Sequence, residues 1–460
     1  MTVQEYKNSL KGEISVFLSL MTVILISFIL AILDSAVIKT YGNMKKVNAQ
    51  AAVFSVFGEY EDELFNDYGI FAVDSSYGKD SINEKFIEDK LRYFGSGDMD
   101  HKIEGIQLIT DENCASFRSQ ALKYISDSVF DDNVSSFEGE KSKWQSILDN
   151  ALKAFEKDGE YDSLLEDLKG SYKEGSEVDE NAFEILEDSK NSSLVKELLP
   201  DGTSVSKRKV NKEILASNRK LNTGRGVKFD TSKIYSPTAD ISFNEYVLYK
   251  FKNVTNADIQ EEGDGLLYEV EYILNGKDSD MENLEDTVEK LIFLRIIPNY
   301  EHIKNSVSKN SEVEALSAAL SVAIANPELK DVISGLLKWM WAYTESKCDV
   351  SALMAGLKVP EMKTDETWHS GLYDCFTDNV TYNLSDCEKG LDYEGYLRVL
   401  LFAGKQEKIT FHCIDMIELN ICCVRENFRI DNCFVKISLK NKAELIKGFT
   451  YSFPLEFGYD

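Results

Sequence analysis

Residues 14–33 read ISVFLSLMTVILISFILAIL, from Ile14 to Leu33, with no charged side chain. Twenty residues at about 1.5 Å each make a helix of roughly 30 Å, the thickness of a bilayer's hydrocarbon core. A buried helix of a soluble protein would carry a polar face, and this stretch has none. Lys11 and Glu13 bound it on one side, Asp34 and Lys39 on the other. A removable signal peptide has a shorter apolar core followed by a small-residue cleavage site. The run here is longer, and only Ser35-Ala36 offers such residues. The segment is therefore expected to be a retained transmembrane helix.

Working outward, residues 1–13 are too few to fold and are expected to be a cytoplasmic stub or leader. Charge gives little orientation: Lys7 and Lys11 precede the segment, while Lys39, Lys45 and Lys46 follow it. The chain of 460 residues carries 79 acidic and 51 basic side chains, a formal net charge of −28. The acidity belongs to the body, since residues 51–460 hold 46 basic against 76 acidic groups. Such a balance argues against nucleic-acid binding, which needs a basic footprint. An acidic extracytoplasmic body on a single-pass anchor is the expected arrangement.

Within the anchor, Ser15, Ser19, Val23, Ser27, Ala31 and Ser35 recur every four residues and are all small or β-branched. Such a ridge lets another helix backbone approach closely. Alternatively, the serines simply bond back to their own helix. Helical periodicity continues over residues 34–66 through Val47, Ala51, Phe54, Val56, Phe57, Tyr60 and Leu64, with Gly42 as a weak point. Residues 68–74 then read as a short strand.

Residues 67–200 form an expected acidic, helix-rich region. Its part 131–190 has 18 acidic and 7 basic residues, and Trp144, Ile147, Leu148, Ala151 and Phe155 fall at helical spacing. Residues 201–240 reverse sign and read as a basic, polar linker or exposed loop. Residues 241–460 read as an α+β region. Helices are expected at 244–251, at 281–297 (ended by Pro298), at 312–325, 328–345, 391–403 and 407–425. The alternating run Leu266–Leu274 reads as a strand. So do 428–439 and 449–457, with a hairpin-like break at Lys440-Asn441-Lys442.

Chemistry-bearing motifs are scarce: HExxH, G-x-S-x-G, P-loop and G-x-G-x-x-G patterns are all missing. Ser204-Val205-Ser206-Lys207 fits S-x-x-K without its companion motifs. His101, His302, His369 and His412 each stand without a partner at a telling spacing. Seven of the eight cysteines crowd into residues 348–433 without a C-x-x-C, so a zinc ribbon is not expected. Cys375 and Cys387 could pair by proximity, but buried free thiols suit Cys413, Cys422 and Cys423 equally. No catalytic, metal or cofactor residue is assigned, and no small-molecule substrate is expected.

Several phrases carry a resemblance. Lys11-Gly12-Glu13-Ile14-Ser15-Val16-Phe17-Leu18-Ser19-Leu20 and Asp67-Tyr68-Gly69-Ile70-Phe71-Ala72-Val73-Asp74 resemble the opening of an uncharacterised membrane-protein family of Gram-positive bacteria. Its members occur with tight-adherence (Tad) pilus components. Tyr268-Glu269-Val270-Glu271-Tyr272-Ile273-Leu274-Asn275-Gly276, Glu282-Asn283-Leu284, Trp341-Ala342-Tyr343-Thr344-Glu345-Ser346 and Asp392-Tyr393-Glu394-Gly395-Tyr396-Leu397 continue it. The resemblance implies a TadE/TadG-like, pseudopilin-related envelope protein without known enzymatic activity. Its partners would be membrane lipid and other pilus or assembly membrane proteins, met through the anchor. It also implies that Gly12 matches a leader-peptidase cleavage position. The acidic residue expected five places on is Phe17 here, which points to a stationary minor or assembly component rather than a major subunit. An envelope hydrolase without a recognised motif, or an extracytoplasmic ligand-binding protein, is the alternative.

Overall fold

The computed structural model describes residues 3–77, 81–127, 204–227, 234–259, 265–323, 325–376 and 386–459, with isolated positions 142, 144–146, 195, 198–200 and 231. The expected acidic helical region at 131–190 lies almost wholly outside these; Trp144 is described, buried edge-on against Tyr396 at 6.3 Å.

The fold is α+β, with one long apolar helix at its N-terminal end. Helix α1 (Val3–Phe57) carries the uncharged run in its first half. From Ile14 it is long and apolar enough to cross a membrane, with a peak mean hydropathy of 2.9 and none of that window buried. It runs straight through Gly42 and stops at Gly58, so the expected extension to residue 66 is interrupted. The chain re-enters helix as α2 (Asp62–Tyr68), closed by Gly69 at φ 70°. Gly69 also has no room for a side chain, because a Cβ there would stand 2.3 Å from the Tyr124 ring.

The sheet is antiparallel and built around one long strand. β1 (Val73–Asp74), β2 (Met99–Leu108), β3 (Cys433–Glu444) and β4 (Thr450–Gly458) make it up, with α3 (Glu84–Leu91) between β1 and β2. β2 pairs with β3 along one edge, Met99 opposite Ala443 and Leu108 opposite Phe434. β4 pairs along the other edge, and β1 joins there at Phe434 and Cys433. Of the expected strand at 68–74, only the last two residues are β. The turn is also not at Lys440-Asn441-Lys442. Those residues continue β3, with Lys440 and Lys442 exposed and Asn441 buried, so their polarity marks alternation on a pleat rather than a break. The reversal comes at Leu445–Phe449.

The larger core is helical. It contains α4 (Asp111–Ser126), α5 (Pro237–Lys250), α6 (Glu269–Asn275), α7 (Asp280–Asn305), α8 (Val307–Ala323), α9 (Lys330–Met354), α10 (Tyr393–Ala403) and α11 (Gln406–Cys422). Two expectations fail here for physical reasons. Residues 266–274 are not a strand, because the alternation of Glu with apolar residues does not separate an outer from an inner face. Glu269 and Glu271 are both buried in α6, taking hydrogen bonds from the Lys252 N–H (2.7 Å) and the Val254 N–H (3.0 Å). Gly276 then closes the helix at φ 67°. Pro298 does not end α7, which continues to Asn305. Arg295 and Asn299, on either side of it, both bond to Asp349 of α9 (2.9 and 3.0 Å) and hold the turn together.

Residues 204–227 are bonded to the body at several points while many of their side chains stay exposed, an arrangement compatible with the exposed loop of the two expected alternatives. Arg219 makes a two-pronged contact with Glu418 (2.6 and 2.8 Å) and reaches Asp431 at 2.5 Å. The Gly224 N–H donates to Asp111, and Arg225 exchanges backbone bonds with Ile106 of β2. The acidic partners of the basic stretch are distant in sequence.

Candidate functional site at the anchor–body junction

The second half of α1 is where the long apolar helix becomes part of a folded body. Gly42, Lys45, Ala49, Ala52, Val53, Val56 and Phe57 are buried, spaced three and four apart along one stripe. Val47, Ala51 and Phe54, expected on the inner face, are exposed instead. The true stripe is led by glycine and alanines, small residues that let the sheet lie close against the helix and that hydrophobicity alone does not pick out.

Val53, Val56 and Phe57 pack with Ile103, Ile106, Leu108, Phe434, Ile437 and Leu439 from β2 and β3 and with Ile87 and Leu91 from α3. Phe57 is the hub. Its ring meets Phe434, Phe457 and Tyr459 edge-on, at centroid distances of 5.3, 4.9 and 5.0 Å. The Tyr459 hydroxyl donates to the Phe57 carbonyl, one of the orphan acceptors at the helix end. Lower down, Ala49 packs with Met99, Ala443 and Phe453, and Lys45 pairs with Asp98. Just beyond the helix, Glu61 pairs with Arg425, which also reaches Asp74 at 3.2 Å. Burial pushes the Glu61 carboxyl up to about 7 against the pull of Arg425.

Ser15, Ser19, Ser27, Ala31 and Ser35 all lie exposed along the first half of α1, and Gly12 lies within the same helix. Ser19 donates to the Val16 carbonyl at 2.8 Å, the self-satisfying arrangement weighed from the sequence. The ridge is thus exposed and free of the body.

A second cluster brings together residues that sequence reading kept apart. Glu345, Asp349 and His369 place ligand-type atoms within 4.8 Å of one another, the spacing of a metal centre. The Lys363 ammonium stands among them, 2.6 Å from Glu345, 2.7 Å from Asp349, 2.8 Å from the Thr367 carbonyl and 3.2 Å from His369 Nδ1. Arg295 adds a second cation at 2.9 Å from Asp349. Two carboxylates and two cations balance, so the lysine does what a metal ion would do. Burial would raise the Glu345 carboxyl, but His369, Lys363 and the Ser370 backbone hold it below the ordinary carboxylate range. A legible signal existed: Glu345 and Asp349 lie four apart on the apolar side of α9. Lys363 and His369 come from the loop after it and Arg295 from α7, at spacings no motif describes.

Among the described residues an open hollow is lined by Glu112, Asn113, Thr231, Tyr235 and Glu407. Its backbone is unusual: Glu112, Asn113 and Cys114 all have left-handed φ, 52°, 59° and 62°. The Tyr235 hydroxyl and the Glu407 carboxylate both engage Asn113, so the wall is tied by its own contacts. His412 is buried and bonds through Nδ1 to the Ile273 carbonyl at 2.9 Å, its pKa pushed down to about 4 by burial. His101 is likewise buried, 2.7 Å from Asn441. All eight cysteines are free.

The model of a family of unknown function, DUF5702, matches residues 172–445, more than half of the chain. No curated protein and no solved structure matches.

Proposed function

We propose that this chain, which belongs to the DUF5702 family of unknown function, is a non-catalytic, membrane-anchored structural or assembly component of a pilus-like, Tad-type cell-surface system. The observation that carries the reading is the continuity of α1. One helix presents a bare apolar segment at one end and is the packed core element of a sheet at the other. Force or position imposed on the body passes to the membrane without a hinge, which suits a scaffold more than a tethered enzyme. The Tad assignment rests on the sequence resemblance in the anchor and in the 268–276 segment. Residues 1–13 are cytoplasmic in this reading and the acidic body is outside.

The anchor meets lipid and other membrane helices, the latter through Ser15, Ser19, Ser27, Ala31 and Ser35. Crosslinking in membranes tests this. Ser19→Leu with Ser27→Leu should abolish crosslinks between α1 and neighbouring pilus-assembly subunits while leaving the chain in the membrane. Undiminished crosslinks would remove the ridge from the account, and crosslinks only to unrelated proteins would remove the pilus assignment.

A further inference from the structure

We infer that the β3–β4 turn, residues 445–449, rests in the interfacial layer of the same bilayer that α1 enters, giving the body a second contact with lipid. The inference rests on α1 being the membrane anchor. Its basis is the direction of the strands against the helix. Phe434, at the start of β3, packs on Phe57 at the top of α1; Ala443, near its end, packs by Ala49. At Gly42 a Cβ would stand 3.6 Å from the Tyr451 ring and 3.9 Å from Leu445. β3 therefore descends along α1 toward the apolar segment, and β4 climbs back.

The heights agree. From Leu33, the end of the uncharged run, to Gly42 the helix rises about 13 Å. The turn reaches two residues beyond Leu445 as a 3-10 turn over Ile446–Gly448, about 4 Å at about 2 Å per residue. Its tip then stands about 9 Å above the hydrocarbon when α1 is upright; the tilt of about 20° usual for a membrane helix, taken toward the turn, lowers a point about 10 Å from the axis by about 3 Å more, into a polar layer about 5–7 Å deep on each side.

The turn is built to display apolar groups there. The Leu445 N–H donates to the Phe449 carbonyl at 2.7 Å, and Gly448 supplies the left-handed residue at φ 78°. Ile446 and Phe449 are left 38% and 53% exposed, where surface turns ordinarily carry small polar residues. On α1 at the same level Val37, Tyr41 and Met44 are exposed too, and the Lys45 ammonium sits 5.6 Å from the Tyr41 ring centroid. Aromatic and aliphatic side chains beside lysines are the usual furnishing of a membrane interface. Two contacts, helix and turn, fix the rotation of the body about the anchor.

Tryptophan quenching in liposomes containing lipids brominated near the headgroup end of their acyl chains tests this on the full chain. Phe449→Trp is compared with Phe28→Trp in the middle of the apolar run and with Val424→Trp, exposed beside Arg425, which pairs with Glu61 just past the opposite end of α1. The added emission should fall for Phe28→Trp and Phe449→Trp and hold for Val424→Trp. If Phe28→Trp is quenched and Phe449→Trp behaves like Val424→Trp, the turn does not touch lipid and the anchor reading stands without it. If neither Phe28→Trp nor Phe449→Trp is quenched, the anchor reading fails and this inference with it.

Discussion

Phe57 is the side chain whose loss should separate anchor from body. It is 2% exposed and its ring contacts three other aromatic rings at centroid distances between 4.9 and 5.3 Å. Truncating a buried Phe to Ala ordinarily costs about 3–5 kcal/mol, and each aromatic pair adds about 0.5–1.5 kcal/mol beyond its buried area. With three rings orphaned, Phe57→Ala should sit at the upper end of that range, about 5 kcal/mol, comparable with the whole stability of many domains. The helix would then lift from the sheet, and the stretch holding Lys39, Lys45 and Lys46 would lose the packing that keeps it helical. Trypsin at limiting dose reads this directly, because it cuts locally unfolded chain and cleavage after any of the three lysines releases the body from membranes. Phe54→Ala is the control: Phe54 is 68% exposed, its ring edge-on to Phe457 at 6.1 Å, and its loss should change release little. Equal release from both variants, or none from Phe57→Ala, would refute the assignment of the buried stripe.

Two further outcomes follow from the buried charges. Lys363→Met removes the cation between Glu345 and Asp349, leaving Arg295 alone against both; breaking a buried pair this way costs about 3–5 kcal/mol. Because Glu345 is held below its ordinary value of 4.5, its pairing stabilises the fold above that pH and is lost as pH falls. The deficit of Lys363→Met in urea unfolding should therefore shrink on acidification, and a deficit independent of pH would contradict the network. Glu271 has the opposite sign. Burial raises its carboxyl from 4.5 to about 7, so the native state holds a proton the unfolded chain has lost, and stability falls as pH rises through that window. Glu61, at about 7, and Asp415, at about 6, act in the same direction. Thermal unfolding in detergent should show the melting point dropping from pH 5 to pH 7.5, with a smaller drop for Glu271→Gln; equal drops would show that Glu271 ionises without penalty.

What the sequence made legible follows from what was local. The uncharged run of α1 needs no partner to be recognised, and the amphipathic helices α7 to α11 announce themselves by period. Two of the failures share one cause, which is polar residues in the interior. Glu269 and Glu271 made a buried helix look like a strand, and Asn441 made the middle of β3 look like a turn. In each case a buried polar side chain is satisfied by backbone or side-chain groups far away in sequence: Val254 and Tyr393 for Glu271, His101 for Asn441. The Lys363 cluster was hidden for the same reason. Gly42 and Ala49 went unread because close approach favours the smallest side chains, which carry no hydropathy signal.

In the proposed arrangement α1 holds the acidic body outside the cell membrane. All eight cysteines lie in the body, and Cys423 is exposed, so a membrane-impermeant maleimide applied to intact cells reports the body's side without any substitution. Labelling is expected before lysis, on a chain that stays with the membranes through alkaline washing. Labelling that appears only after lysis, or a chain washed free of the membranes, would contradict it.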